Sequence, residues 1–225
     1  MSAWRRALAL ARRDLRAESR RREQITAALT FAGLLLVVYS FALDANPAML
    51  RAAAGGLLWL GVVFSGILAL GRVFDPESRH DLLEWMLSAP GGRDAIYLGK
   101  LLVVLAQLGL VIAVLVPAFA ILFALDLRGA APAVLAIAAL GATGFAALGV
   151  LGAGLVAALR GREALLPLIV LPLAVPILIA GTRGTASALG QAPAGELWAW
   201  LGVLVVFDIV FLVTGVLAFE ALVEE

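Results

Sequence analysis

Residues 133–159 read AVLAIAALGATGFAALGVLGAGLVAAL and contain no acidic or basic side chain. A helix rises about 1.5 Å per residue, so roughly 20 apolar residues span a bilayer hydrocarbon core that is about 30 Å thick. Five more stretches share this composition, with Asp208 as their single charged residue: 25–43, 52–71, 101–125, 164–182 and 197–219. Hydrophobic residues make up 63% of the chain and its mean hydropathy is +1.05. We therefore predict an all-α membrane protein with six transmembrane helices.

The distribution of basic residues predicts how these helices are oriented, because Lys and Arg collect in short cytoplasmic loops. Fourteen of the seventeen lie before the first stretch, between the second and third, or between the fourth and fifth. We therefore expect both termini and the longest internal loop, 72–100, to be cytoplasmic. The predicted organisation is a cytoplasmic interfacial helix over 1–24 and a single six-helix transmembrane domain over 25–225.

The segment before the first apolar stretch has the pattern of an amphipathic helix. Four apolar residues recur at helical spacing: Trp4, Leu8, Ala11 and Leu15. Arginines at positions 5, 12, 13 and 16 occupy the opposite side. Such a helix lies on a membrane with its arginines against anionic phospholipid. The same arginines also act as a topology signal, and the two interpretations are compatible. Binding to nucleic acid is disfavoured, because the arginines already have a lipid partner.

Two residue types that many metal and redox sites use are absent or rare in the chain. It has no Cys and one His, His80, which we interpret as a solvated residue of the cytoplasmic loop. Disulfides and thiolate metal sites are therefore excluded, and we expect no metal or cofactor to be bound directly. The motif G-x-x-x-x-G-K-[ST] does not occur, so the chain does not hydrolyse ATP through a P-loop. We expect a non-catalytic membrane subunit.

The loop 72–100 contains a second amphipathic segment. Asp75-Pro76 is a good helix start, and Pro90-Gly91-Gly92 ends the element. One arc of this predicted helix is apolar and aromatic: Leu82, Leu83, Trp85, Met86 and Leu87. The other arc is polar: His80, Asp81, Glu84 and Ser88. An exposed apolar stripe favours binding in the groove of a partner protein. The alternative is a helix that lies flat on the membrane or packs against this chain's own helix ends.

Three features of the apolar stretches bear on function. The fourth stretch is rich in glycine, which indicates close helix packing. The fifth contains Pro167, Pro172 and Pro176, so we expect a kinked or broken helix that is either fixed against its neighbours or lines a pathway. A polar external loop is predicted from 181 to 196. Asp208 is a candidate functional residue because a carboxylate at that depth is energetically costly. It could act as a hydrogen-bonded structural acid, a subunit contact or part of a substrate path, and less favourably as a proton relay.

The order of these elements matches that of a type-2 ABC exporter permease, and three stretches resemble the haem exporter protein B family, CcmB. They are GRVFDPESRHDLLEWMLSAPGGRDAIYLGK over 71–100, LPLIVLPLAVPILIA over 166–180 and FDIVFLVTGVLAFEALVEE over 207–225. The resemblance spans nearly the whole chain, and in the loop it rests on Leu83-Glu84 through Pro90 followed by Gly99-Lys100. One departure lies at Asp81-Leu82, where loops of the family often place Gly-Ser or Gly-Thr before the Leu-Glu pair.

The resemblance implies a permease subunit in the inner (plasma) membrane of a bacterium that works in cytochrome c biogenesis. The implied partners are an ABC ATPase subunit (CcmA-like), a haem-handling membrane protein (CcmC-like), a small helper (CcmD-like), and a second copy or other subunit with which the chain pairs. ATP would be bound by the ATPase subunit, and haem would be handled by the complex. The loop helix would be the coupling helix on the ATPase, with these residues: Glu77, Leu82, Leu83, Glu84, Trp85, Met86, Leu87, Ser88 and Pro90.

Two mechanisms are open within this resemblance: export of haem itself, or release of a haem-loaded periplasmic chaperone from the CcmC-like protein. The lack of His and Cys at the outer face favours release. Three alternatives lie outside it: a generic ABC exporter permease for lipid, drug or polysaccharide, a secondary carrier, and a non-transporting scaffold subunit.

Overall fold

The computed structural model describes residues 3–21, 23–43, 46–74, 93–157, 159, 162–193 and 195–221. These residues form seven helices and no strand: α1 (Ala3–Arg21), α2 (Glu23–Ala42), α3 (Pro47–Gly71), α4 (Arg93–Leu122), α5 (Ala131–Val156), α6 (Arg162–Ala188) and α7 (Glu196–Ala221). Within this described part, five helices, α3 to α7, are long and apolar enough to cross a membrane. The chain is an all-helical membrane protein.

Each of the six predicted stretches lies largely on a helix. The first, 25–43, corresponds to α2, whose apolar segment Leu29–Ala42 is shorter than those of α3 to α7. Six transmembrane spans therefore remain a prediction. Helix α4 begins at Arg93, before the predicted start at residue 101, and Lys100 consequently lies inside a helix.

Local sequence explains where α3 begins and where α6 ends. The side chain of Asn46 accepts hydrogen bonds from the backbone N–H groups of Ala48 and Met49, and Pro47 occupies the first helical position. Helix α6 continues to Ala188 and is followed by Gly190, whose φ of +71° suits glycine. The predicted polar loop from 181 is thus wrong in its first eight residues, which are helical.

Helix α5 is the centre of the bundle, with α3, α4, α6 and α7 packed around it. Its glycines form notches that receive large side chains from three neighbouring helices: Trp59 of α3 at Gly141, Leu70 of α3 at Gly149, Val170 of α6 at Gly152 and Phe219 of α7 at Gly154. A Cβ at any of these positions would overlap its neighbour. The predicted packing role of the glycine-rich stretch is confirmed.

The three prolines lie within one continuous helix, α6. Pro172 and Pro176 are exposed on its outer side, whereas Val170, Ala174 and Ile177 are fully buried on the side that faces the bundle. The predicted alternative of a broken helix is therefore wrong. Each proline removes a single backbone hydrogen bond, and packing against α3, α5 and α7 holds the remaining turns together.

Helix α1 packs against α4. Its buried residues are Ala7 and Ala11, whereas Trp4 is 54% exposed. Ala11 of the predicted stripe is buried and Trp4 is exposed; that the stripe lies at a membrane surface stays a prediction. Small side chains, rather than the largest apolar ones, face the partner helix because they allow the two backbones to approach closely.

Candidate coupling junction

A buried aromatic cluster contains residues from both described sides of the segment 75–92. Phe74 directly precedes that segment, Tyr97 lies in the second turn of α4, and Phe219 is near the end of α7. The ring centroid of Phe219 is 6.3 Å from that of Phe74 and 5.2 Å from that of Tyr97. All three side chains are buried. We call Phe74, Tyr97 and Phe219 the coupling junction, after the coupling role that the resemblance implies for the loop.

The hydroxyl group of Tyr97 extends the junction to α5. Its oxygen is 3.2 Å from the carbonyl oxygen of Ala147 in α5 and 3.2 Å from that of Phe211 in α7. The single hydroxyl proton can be donated to either carbonyl. Its ring lies directly against Gly215 of α7, where a Cβ would overlap it. Tyr97 thereby connects α4 to two other helices through one buried polar group.

Lys100 adds a charge on the next turn of α4. Its Nζ atom is 2.8 Å from Asp14 Oδ2 on α1 and 5.5 Å from the centre of the Phe74 ring. The Lys100 side chain is 1% exposed and that of Asp14 is 10% exposed. The resemblance drew attention to Gly99-Lys100, but nothing in the local sequence indicated that Asp14 is its partner.

A second polar contact links three helices farther from the coupling loop. Trp59 Nε1 donates a hydrogen bond to Thr185 Oγ1 at 3.1 Å, and both residues are buried. The indole ring lies between Gly141 of α5 and Gly181 of α6. The sequence interpretation missed this contact because it assigned Thr185 to an external loop. The spacing of four residues between Gly181 and Thr185, which is typical of helix contacts in membranes, was the available signal.

Asp208 lies near the middle of α7 and is 6% exposed. Its Oδ1 atom faces the backbone of Gly144 in α5 but has no hydrogen-bond partner of ordinary geometry among the described residues. The side chain therefore points into the bundle and does not face the exposed side of α7. The structure does not bring it to Tyr97 directly, although Phe211, whose carbonyl contacts Tyr97, is one turn away. Its predicted roles in structure or a substrate path remain predictions.

The predicted coupling helix lies outside the described residues. This applies to every residue assigned to it: Glu77, Leu82, Leu83, Glu84, Trp85, Met86, Leu87, Ser88 and Pro90. Within the described part of the chain, no group of three or more His, Cys, Asp or Glu side chains could hold a metal ion.

Comparison with known proteins agrees with this arrangement. The family model described as CcmB protein matches residues 5–225, which include the coupling junction and the whole loop between its two sides. The chain belongs to the CcmB family. A relative from Paracoccus denitrificans, "Heme exporter protein B", is 34% identical over 80% of this chain and 84% of its own length. The protein of the same name from Rhodobacter capsulatus is 33% identical over 78% of this chain and 80% of its own length. The one from Pseudomonas aeruginosa is 27% identical over 85% of this chain and 86% of its own length. The CcmB match thus extends over nearly all of the described helices.

Proposed function

We propose that this chain is the membrane permease subunit of an ABC-type complex for cytochrome c biogenesis, and that ATP is hydrolysed on a separate, CcmA-like subunit. Membership of the CcmB family and the name shared by its relatives support the assignment to this biogenesis complex. The multi-pass helical body supports the role of a membrane subunit. The proposed location is the bacterial inner membrane, with α2 as the first of six spans in a type-2 exporter arrangement and both termini in the cytoplasm.

The observation that carries the coupling proposal is the position of the coupling junction. The segment 75–92 begins next to Phe74 and ends shortly before Tyr97, and both rings pack around Phe219. In the proposal, the helix from Glu77 to Ser88 seats its apolar arc on the ATPase. Closure of the ATPase would displace that helix, and the displacement would reach α3 and α4 at their loop ends. Tyr97 would pass it to α5 and α7 through its hydroxyl contacts.

A small cavity lies next to Phe74, at the ends of α3, α5 and α6, and is lined by Leu70, Gly71, Phe74, Ala153, Val156, Ala157 and Leu166. An interior that is elsewhere close-packed transmits a displacement from one helix to the next. In the proposal, Phe74 moves toward this cavity when the loop is displaced.

We further propose that the complex uses ATP to release a haem-loaded periplasmic chaperone from a CcmC-like protein, with a CcmD-like helper and a second copy of this chain or another subunit beside it. Haem export is the alternative within the same system. The chain has no Cys, and its single His lies in the loop 72–100. It therefore lacks the two side chains that most often ligate haem iron on the outer side of the membrane.

Two loop variants test the coupling proposal. Trp85→Glu places a charge in the apolar arc and is expected to abolish co-purification with the ATPase subunit, because burying an unpaired carboxylate in an interface is costly. His80→Glu introduces the same side chain on the polar arc, so it is the control and is expected to leave co-purification with the ATPase intact. Equal co-purification of both variants with the ATPase would remove the coupling assignment. Fluorescence-detected size exclusion in detergent checks that both remain folded.

A further inference from the structure

Helix α1 is held on α4 by an unusually close backbone contact. A Cβ placed on Gly99 would lie 3.2 Å from the carbonyl oxygen of Ala7 and 3.2 Å from the Cβ of Leu10. Ala7 is 0% exposed and Ala11 is 4% exposed. Small residues such as glycine and alanine permit helices to approach this closely. The contact therefore favours one position of α1 along α4.

A buried ion pair lies on the next turn of the same contact. Lys100 Nζ is 2.8 Å from Asp14 Oδ2, and Asp14 Oδ1 accepts a hydrogen bond from Arg13 Nε at 2.9 Å. Removing two charges from water is expensive, so a buried pair is weak evidence for overall stability. Its best-attested use is to specify the register between two elements. Here the two elements are a peripheral helix and the helix that follows the coupling loop.

The ion pair is also connected to the coupling junction. The ammonium group of Lys100 stands over the ring of Phe74, which directly precedes the coupling loop. At its other end, α1 is separated from α2 by one residue, and α2 packs against α3 and α4. A continuous set of contacts thus runs from the root of the loop through Lys100 and Asp14 to α1, and along the chain to α2.

We propose that Asp14 and Lys100 form a positioning pair that holds α1 on α4, so that α1, and through it α2, moves as one body with the root of the coupling loop. The functional part of this inference rests on the proposed ATP-coupled role. The structural part, that the ion pair keeps α1 docked in one register, does not depend on it.

Disulfide trapping tests the structural part directly. The chain has no Cys, so a Leu10→Cys/Gly99→Cys double variant contains a single possible disulfide. Replacing Leu10 removes the side chain that would clash with a Cβ at Gly99, and the Cβ separation of 3.2 Å is close to the usual 3.5–4.5 Å range of disulfides.

Rapid oxidation of this double variant is expected in isolated membranes. Adding Asp14→Asn should slow it by more than about tenfold, because the ion pair between the two helices is then lost. Adding Asp126→Asn, an exposed carboxylate elsewhere, should leave the rate unchanged. Equal rates in the two backgrounds would overturn the proposal.

The functional part is tested in the reconstituted complex with its ATPase. Asp14→Asn is expected to lower stimulated ATP hydrolysis several-fold while co-purification with the ATPase is kept, because the coupling helix itself is unaltered. The exchange Asp14→Lys/Lys100→Asp restores the opposite charges and should recover part of the stimulation. Formation of the 10–99 disulfide should also restore it in the Asp14→Asn background, and a reductant should reverse the rescue. The same disulfide is also formed in the Leu10→Cys/Gly99→Cys variant that keeps Asp14 and Lys100. If it abolishes stimulation there, α1 must separate from α4 during the cycle, which contradicts the proposal.

The two arms separate failure of the inference from failure of the proposed function. If the complex shows no ATPase stimulation with the unaltered chain, the ATP-coupled role is wrong, and the trapping rates still decide whether the pair docks α1. If stimulation is present and Asp14→Asn leaves it unchanged despite slowed trapping, the positioning role in coupling is wrong.

Discussion

Substitution of Gly215 by alanine is the sharpest probe of the coupling junction. A Cβ at this position would overlap the ring and hydroxyl of Tyr97. Tyr97 is 0% exposed, its ring contacts Phe219, and its hydroxyl lies 3.2 Å from two carbonyl oxygens, to one of which it donates. A Cβ at Gly215 would therefore push the ring against packed neighbours. Overpacking of this kind costs about 1–3 kcal/mol. Displacement of the hydroxyl adds roughly 0.6 kcal/mol for a hydrogen bond in a membrane protein. Alanine returns up to about 1 kcal/mol of helix propensity, and subtracting all of it leaves a net loss on the order of 0.6–2.6 kcal/mol.

A matched glycine on the same helix supplies the control. A Cβ on Gly202 of α7 would meet no atom within 4 Å, so Gly202→Ala is expected to be neutral or slightly stabilising. Both variants are purified in detergent, and their thermal unfolding is followed by size exclusion after heating. Gly215→Ala should unfold at a clearly lower temperature and support less covalent haem attachment to c-type cytochromes in cells. Identical unfolding temperatures for the two variants would refute the description of the junction as close-packed.

Three further outcomes follow from the buried polar contacts. Tyr97→Phe should lower the free energy of unfolding by about 0.5–1.5 kcal/mol, whereas Tyr39→Phe, the same change at the other tyrosine, should not. Thermal unfolding of the two variants decides this. Equal losses would contradict the hydrogen bond of the Tyr97 hydroxyl. Thr185→Val should lower the free energy of unfolding by about 1–3 kcal/mol, because it leaves the Trp59 N–H buried without an acceptor. A double-mutant cycle with Trp59→Phe that shows no coupling energy would exclude the contact. Asp208→Leu should raise thermal stability, since it removes a buried carboxylate oxygen that has no hydrogen-bond partner of ordinary geometry among the described residues. It should also reduce haem attachment; unchanged attachment with normal insertion would leave Asp208 a structural residue.

The helices were predictable because each apolar stretch is long enough to span a bilayer and charges are absent from its interior. The ends of α4 and α6 were not, for a common reason. Lys100 was taken as a residue outside the span, but Asp14, 86 positions away in sequence, provides its counter-charge. Thr185 was taken as a loop residue, but the indole of Trp59, 126 positions away, provides its hydrogen-bond donor. Polar residues mark a helix end only when they lack such a distant partner.

The junction was predictable only in part. The loop 72–100 and the Gly99-Lys100 pair were identified from sequence pattern and resemblance. Phe74, Tyr97 and Phe219 were not selected, because no local pattern distinguishes them from the other aromatic residues of the chain. Glycines at 141, 149 and 154 predicted close packing, but which neighbour fills each notch depends on helix arrangement. The low helix propensity of the three prolines predicted a kinked or broken α6. The helix is not broken, because packing on its opposite face holds the turns together; the kink stays a prediction.

Staining of membrane proteins for covalently attached haem in a strain that lacks this gene tests the central claim most directly. The proposed function predicts that all c-type cytochromes lose their haem, and that the unaltered chain restores them while Trp85→Glu does not. Normal haem staining in the deletion strain would contradict a role in cytochrome c biogenesis.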